Sequence, residues 1–216
     1  DRTASQTEAV HALALQLLER HGVLTREAVL AEGVRGGFAG VYGVLKALEE
    51  RGAVRRGYFV DGLGAAQFAV PGAVDRLRAC KEPHLVVNEE SPVVAVLAAT
   101  DPAQPYGATI DWPATTGRPS RSAGALCMLW RGDVLGWYDV RSHHLVTFER
   151  TLEPAAFAAL AEALSNVTKD GRAKSVEVRK INGASHDEQS PLTLQIVALL
   201  EQHRFMKGYR GLVLRD

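Results

Sequence analysis

Residues Gly37–Val70 read GFAGVYGVLKALEERGAVRRGYFVDGLGAAQFAV. Val41, Val44, Leu45 and Leu48 recur at helical spacing, so the first half of this stretch is an amphipathic helix, Phe38 to Arg51, opened by Gly36-Gly37 and stopped by Gly52. Directly after it comes a strand-like run, Val54 to Val60, a turn at Asp61-Gly62-Leu63-Gly64, and a returning run, Gln67 to Val70. Asp-Gly between two such runs predicts a hairpin, here with a loop longer than two residues.

Working outward, Ser5 to Arg20 is a first helix on Val10, Leu13, Leu15, Leu17 and Leu18, with Ser5 and Glu8 spaced as a capping box and His21-Gly22 as its end. Thr25 caps a second helix, Arg26 to Glu32, closed by Gly33. Pro71 opens a fourth, to Cys80. Three helices, a hairpin and a helix in about 80 residues make the winged variant of the helix-turn-helix. The polar, acidic, proline-flanked stretch Lys81–Pro92 marks the boundary, giving a winged helix over 1–82 and a second domain over 83–216.

The second domain reads as β-rich. Val93–Ala99 is a continuous apolar run suited to a buried strand, and strands near Ala125–Trp130, Val134–Tyr138 and His144–Glu149 predict an antiparallel meander. Helices are expected at Glu153–Asn166 and Leu192–His203, with further strands at Ser175–Ile181 and Gly211–Arg215. Between the first two strands, Asp101–Arg121 holds four prolines and two glycines and shows no periodicity. Long irregular segments of this kind are functional or mobile. The fold class is therefore α+β: a winged helix followed by a β-rich, barrel-like domain with covering helices.

Composition narrows the function. Lysine plus arginine equals aspartate plus glutamate at 25 each, so binding to nucleic acid through bulk positive charge is excluded and any contact must be a local patch. Cys80 and Cys127 fit no metal spacing and read as buried free thiols in a reducing, cytoplasmic setting. No apolar run approaches the roughly 20 residues a membrane span needs, so no membrane partner is expected. The chain starts at Asp1 with a helix close behind, the expectation for a numbering that begins inside a longer polypeptide.

Several of these phrases together resemble one family. Gln16–Arg35 (QLLERHGVLTREAVLAEGVR), Gly37–Gly52 (GFAGVYGVLKALEERG) and Val54–Leu77 (VRRGYFVDGLGAAQFAVPGAVDRL) are similar to the C-terminal region of Lhr, the large helicase-related proteins of helicase superfamily 2. So are Ala99–Gly107 (ATDPAQPYG), Trp112-Pro113 and Gly117–Ala125 (GRPSRSAGA), with a thinner likeness at Gly208–Arg215 (GYRGLVLR). The resemblance implies a parent with an ATP-driven motor acting in DNA repair, and tandem winged helices with a barrel-like domain at its C-terminal end. Partners implied are DNA, single-stranded or forked, and the upstream helicase domains of the same polypeptide. The six lysines never complete Gly-x-x-x-x-Gly-Lys-Ser/Thr, so this stretch has no phosphate-cradling loop of its own and implies no cofactor. The family's C-terminal region is also similar to AlkZ-type DNA glycosylases, whose glutamine-apolar-glutamine motif is absent here.

Three functions follow as expectations. The first is DNA binding and positioning. Arg35, Lys46, Arg51, Arg55 and Arg56 supply cations on the third helix and wing, and Tyr58 an aromatic ring. The bland reading is a solvated face in which Lys46 and Arg51 pair with Glu49 and Glu50. In the irregular segment Tyr106 and Trp112 could stack on a splayed base while Arg118 and Arg121 hold phosphates. The alternative is a proline-pinned loop whose rings seal the barrel.

The second function is removal of uracil or another damaged base, which requires a carboxylate to activate water; Asp216 and Asp111 are the candidates. The third is oligomerisation of the parent through Val93–Ala99 or Leu192–Leu200. Metal ligation is not expected, because His143-His144 on a strand point to opposite faces and His186-Asp187-Glu188 lacks an anchored partner.

Overall fold

The computed structural model describes residues 5–64, 66–81 and 94–214. The boundary expected at residue 82 or 83 lies outside them, as does Asp216. Two compact units are resolved.

In the first, α1 (Gln6–His21) starts at the expected capping box: the Glu8 amide donates to the Ser5 hydroxyl at 3.3 Å and the Ser5 amide to the Glu8 carboxylate at 2.7 Å. Thr25 caps α2 (Arg26–Ala31) through its hydroxyl, 3.1 Å from the Ala28 amide. Helix α3 spans Gly37–Glu50 and α4 Ala73–Lys81. Ala14, Leu17, Leu18, Val29, Val41, Leu45, Leu48 and Phe68 form the core, while Leu15, on the expected stripe of α1, lies exposed. Three short strands, β1 (Val23–Leu24), β2 (Arg55–Gly57) and β3 (Gln67–Ala69), pair antiparallel in the order β1-β3-β2. This is a winged helix.

The expected strand over residues 54–60 is shorter than its sequence pattern, and Gln67 is the reason. Its buried amide takes the place of the ladder: the Phe59 and Val60 amides both donate to Gln67 Oε1 at 2.8 Å. Gln67 Nε2 donates to the Val60 carbonyl at 2.9 Å and, more weakly, to those of Leu63 and Gly64 at 3.4 Å. One side chain therefore satisfies five backbone groups of the wing loop, where a two-residue turn would have paired strand with strand.

The second unit is built on a six-stranded sheet, order β10-β9-β7-β6-β5-β4. The meander is β4 (Ala95–Ala98), β5 (Ala125–Trp130), β6 (Asp133–Asp139) and β7 (His144–Thr147), antiparallel throughout. Strand alternation sends Leu126, Met128 and Trp130 to one face, where α5 (Pro154–Lys169) packs with Phe157, Leu160 and Leu164. Ala125 and Cys127 face the other way, with Val134, Trp137, Val146 and Phe148, and there the cover is the irregular segment itself through Tyr106 and Trp112. Burial pushes the Cys127 thiol up to about 12, an inert core thiol; the Cys80 side chain lies outside the described residues.

Three expectations need correction. Val93–Ala99 is not a central buried strand: among the described residues β4 is the sheet's edge, with Ala95 and Ala98 exposed. The expected strand at 175–181 is broken at Arg179, whose amide donates to the His143 carbonyl at 2.8 Å. Its halves join different sheets: β8 (Glu177–Val178) pairs with β12 (Leu212–Leu214), whereas β9 (Lys180–Ile181) runs parallel to β7 and antiparallel to β10 (Ala184–Ser185). The barrel is, among the described residues, an open six-stranded sheet beside a three-stranded one, order β11-β12-β8. Strand β11 (Phe205–Lys207) was not anticipated, and α6 (Pro191–Gln202) covers this smaller sheet with Ile196 and Leu200.

Candidate nucleic-acid interface

The wing carries the free cations. Arg55 and Arg56 lie on the edge strand β2 opposite Ala69 and Phe68; they leave the strand on opposite faces, and both side chains are exposed. Tyr58 follows immediately and is 83% exposed, although it is a large ring one residue from a braced loop. Arg35 precedes α3 at Gly36, whose left-handed backbone (φ 83°) turns the chain into the helix, and it too is exposed. Among the described residues no carboxylate lies within ion-pair distance of Arg35, Arg51, Arg55 or Arg56. Lys46 differs: its Nζ is 3.8 Å from Glu50 one turn on, an exposed pair worth a few tenths of a kcal/mol at about 0.3–0.5. Four free arginines and a hydrated ring are what phosphate neutralisation and base stacking require.

The irregular segment has a different economy. Arg121 Nη1 donates to the carbonyls of Gln104 at 2.6 Å and Tyr106 at 3.4 Å, and Nη2 to those of Thr100 at 3.2 Å and Asp101 at 3.1 Å. Buried Gln104 ties the same turn from inside, its Nε2 donating to Ala99 and Tyr106 carbonyls at 3.1 and 3.0 Å while Oε1 accepts from the Tyr106 amide. Tyr106 is 9% exposed, donates its hydroxyl to the Gly132 carbonyl at 3.0 Å, and stacks on Trp112; Trp112 in turn lies parallel to Phe148, 6.4 Å between centroids. The Trp137 indole donates to the Ser120 carbonyl at 2.9 Å.

Tyr106, Trp112 and Arg121 are therefore engaged on the sheet's second face: Tyr106 is buried, Trp112 half-buried between Tyr106 and Phe148, and Arg121 clamps four carbonyls. Arg118 is exposed, and no ion-pair partner lies near it among the described residues. Asp111 is exposed as well.

The histidines are structural. His144 Nε2 accepts from the Gly183 amide at 2.9 Å, and burial, then the Lys180 charge, lower its pKa, so the neutral ring is the folded form; Asp139 pulls the other way. His143 stands 3.9 Å from Glu177. Glu177 is held below the ordinary carboxylate range first by the Arg179 hydrogen bond of 2.5 Å, against desolvation. Among the described residues no three His, Cys, Asp or Glu side chains gather as metal ligands, and no helix is long and apolar enough to cross a membrane.

What sequence reasoning missed is Gln67, Gln104 and the β11–β12 turn. A lone glutamine between apolar residues carries no signal of the loop it braces. Lys207-Gly208-Tyr209-Arg210-Gly211, however, repeats the wing's mixture of glycine, tyrosine and cations and could have been noticed.

Residues 3–87 match the winged-helix domain of the large helicase-related proteins. Over 183 residues the chain is 45% identical to the Lhr helicase/probable uracil glycosylase of Mycolicibacterium smegmatis, an alignment covering 83% of this chain and 12% of that protein. Over 165 residues it is 37% identical to the Lhr helicase/uracil glycosylase of Escherichia coli, covering 74% of this chain and 11% of that protein. The chain thus spans only 12% and 11% of the length of these relatives. Its winged helix belongs to the Lhr family of winged helices, and over most of its length the chain is similar to these two Lhr proteins.

Proposed function

We propose that this chain is a DNA-binding and positioning module of an Lhr-type ATP-dependent repair helicase, whose motor resides in upstream domains of the same polypeptide. The observation that carries the reading is the wing, where Arg55 and Arg56 are exposed without an acidic partner among the described residues and Tyr58 is left 83% in water. Arg35 extends the cationic surface to the start of α3, and Lys46 joins it at little cost because its exposed pair with Glu50 is weak. Helix α3 offers Gly, Phe, Ala, Val, Tyr, Leu, Lys and Glu rather than the Asn, Gln and Arg that read base edges, so binding follows backbone and strand state, not sequence.

The test is binding of labelled single strands and forks across a salt series. Replacing both Arg55 and Arg56 by Ser is expected to weaken binding and to make the log–log salt slope shallower by about 1.4 for single strands. Tyr58→Ala is expected to cost on the order of tenfold with the slope unchanged. Affinity and slope equal to wild type in both would sink the reading.

A second reading rests on the names of both relatives, which include uracil glycosylase. Base removal would use Asp216 or Asp111 to activate water. Incubation with uracil-containing DNA followed by alkali decides: cleavage abolished by Asp216→Asn or Asp111→Asn supports it, and no cleavage by wild type removes it.

A further inference from the structure

The second unit carries a hairpin of the same make as the wing. Strands β11 and β12 pair antiparallel, Phe205 opposite Leu214, Met206 opposite Val213 and Lys207 opposite Leu212. Phe205 and Leu212 are buried in the main core and anchor it. The tip is tightly specified. The Gly208 amide donates to the Gly211 carbonyl at 2.7 Å, and Gly211 lies so close to the Val178 backbone that a Cβ there would come within 3.0 Å of its carbonyl carbon. A Cβ on Gly208 would meet Val213 at 2.9 Å. A turn packed this closely has little freedom to lose on binding.

On this rigid tip Tyr209 is 98% exposed. A ring wholly in water buries no apolar area and so contributes nothing of that kind to folding. Its neighbours are cations: Arg204, Lys207 and Arg210 are all exposed, and among the described residues neither Arg204 nor Arg210 has an ion-pair partner. Lys207 makes one exposed contact with Glu201 at 3.5 Å, and Glu177 is hydrogen-bonded by Arg179, with Arg210 feeling its charge only at longer range. Arg-Arg-Gly-Tyr at 55–58 and Lys-Gly-Tyr-Arg at 207–210 thus present one arrangement twice, an exposed tyrosine next to glycine on an antiparallel hairpin with free cations beside it. A protein partner would want a wider apolar surround than Met206 alone provides. Stacking also needs an open base face, which duplex DNA does not offer.

We propose that the β11–β12 hairpin is a second single-stranded DNA contact, with Tyr209 stacking on a base and Arg210 and Arg204 neutralising phosphates beside it. The proposal rests on the reading that DNA is the ligand of this chain, but not on the wing being the place where it binds.

The experiment compares the intact 216-residue chain with Tyr209→Ser, Tyr209→Phe, Arg210→Ser and the Arg55/Arg56 double Ser variant, using fluorescence anisotropy with labelled oligo-dT and a blunt duplex of equal length. Tyr209→Ser is expected to weaken oligo-dT binding on the order of tenfold and to lower the preference for single strand over duplex, while Tyr209→Phe keeps both. Arg210→Ser should make the single-strand salt slope shallower by about 0.7. If Tyr209→Ser binds oligo-dT as wild type does while the Arg55/Arg56 variant loses affinity, the hairpin proposal fails and the wing reading stands. The opposite pattern removes the wing and keeps the hairpin. A Tyr209→Phe variant as weak as Tyr209→Ser would overturn stacking. Because Tyr209, Arg210, Arg55 and Arg56 are all exposed, every variant is expected to melt as wild type does.

Discussion

The wing and the irregular segment 101–121 contain the same ingredients, arginines and aromatic rings among glycines, and the structure spends them in opposite ways. In the wing five loop backbone groups are satisfied from within by Gln67, and Arg55, Arg56 and Tyr58 remain in water. In the segment Gln104 braces only the stretch from Ala99 to Tyr106 from inside. Arg121 reaches back to four carbonyls, and Tyr106 and Trp112 fill the face of the sheet that no helix covers. Whether a basic aromatic stretch is available to a ligand thus depends on what else satisfies its backbone and covers its neighbours.

The largest effect that could break this contrast is at Arg121. Arg121→Ala leaves four carbonyl oxygens without their shared donor and is expected to cost about 3 kcal/mol, with the urea midpoint falling by about 1–2 M. All three tryptophans, Trp112, Trp130 and Trp137, lie in the second unit, so their fluorescence follows that unit's unfolding alone. The DNA salt slope of the variant, measured well below its midpoint, should equal that of wild type. A shallower slope with an unmoved midpoint would return Arg121 to the phosphate-binding set and remove the distinction between the two regions.

Much of the first unit could be read beforehand because its determinants are local. Ser5 with Glu8, Thr25, the Val41–Leu45–Leu48 stripe and Gly52 act within one or two turns of where they stand. The second unit's surprises are all non-local. Ser175–Ile181 alternates as one strand, but Arg179 is held by His143, and that contact divides the run between two sheets. Val93–Ala99 looks like a core strand because apolar composition does not distinguish an edge from a centre. The same limit hid the interface: Arg55 and Arg121 are indistinguishable as letters, and only the positions of four distant carbonyls separate them. The repeated Gly-Tyr beside cations at 57–58 and 208–209 was visible in the letters, yet its meaning depended on β11, a strand of three residues with no pattern of its own.

Gln67 provides the sharper test, of smaller size. Gln67→Leu keeps a similar volume but leaves the Phe59 and Val60 amides and the Val60 carbonyl unpaired at a buried site, an expected loss of about 2 kcal/mol from the first unit. The first unit contains no tryptophan, so far-ultraviolet circular dichroism of its helices reports the change while the tryptophan transition stays in place. At a temperature where the helical signal is still complete, single-strand affinity should fall severalfold although Gln67 is buried and reaches no ligand. The loop that carries Tyr58 would then sample conformations in which ring and arginines no longer act together, so binding pays to restore one of them. Unchanged affinity with the expected loss of stability would mean that Tyr58 and the arginines act as separate point contacts. In that case the brace serves folding only, and the contrast with Arg121 reduces to where each clamp sits, not to what it leaves free.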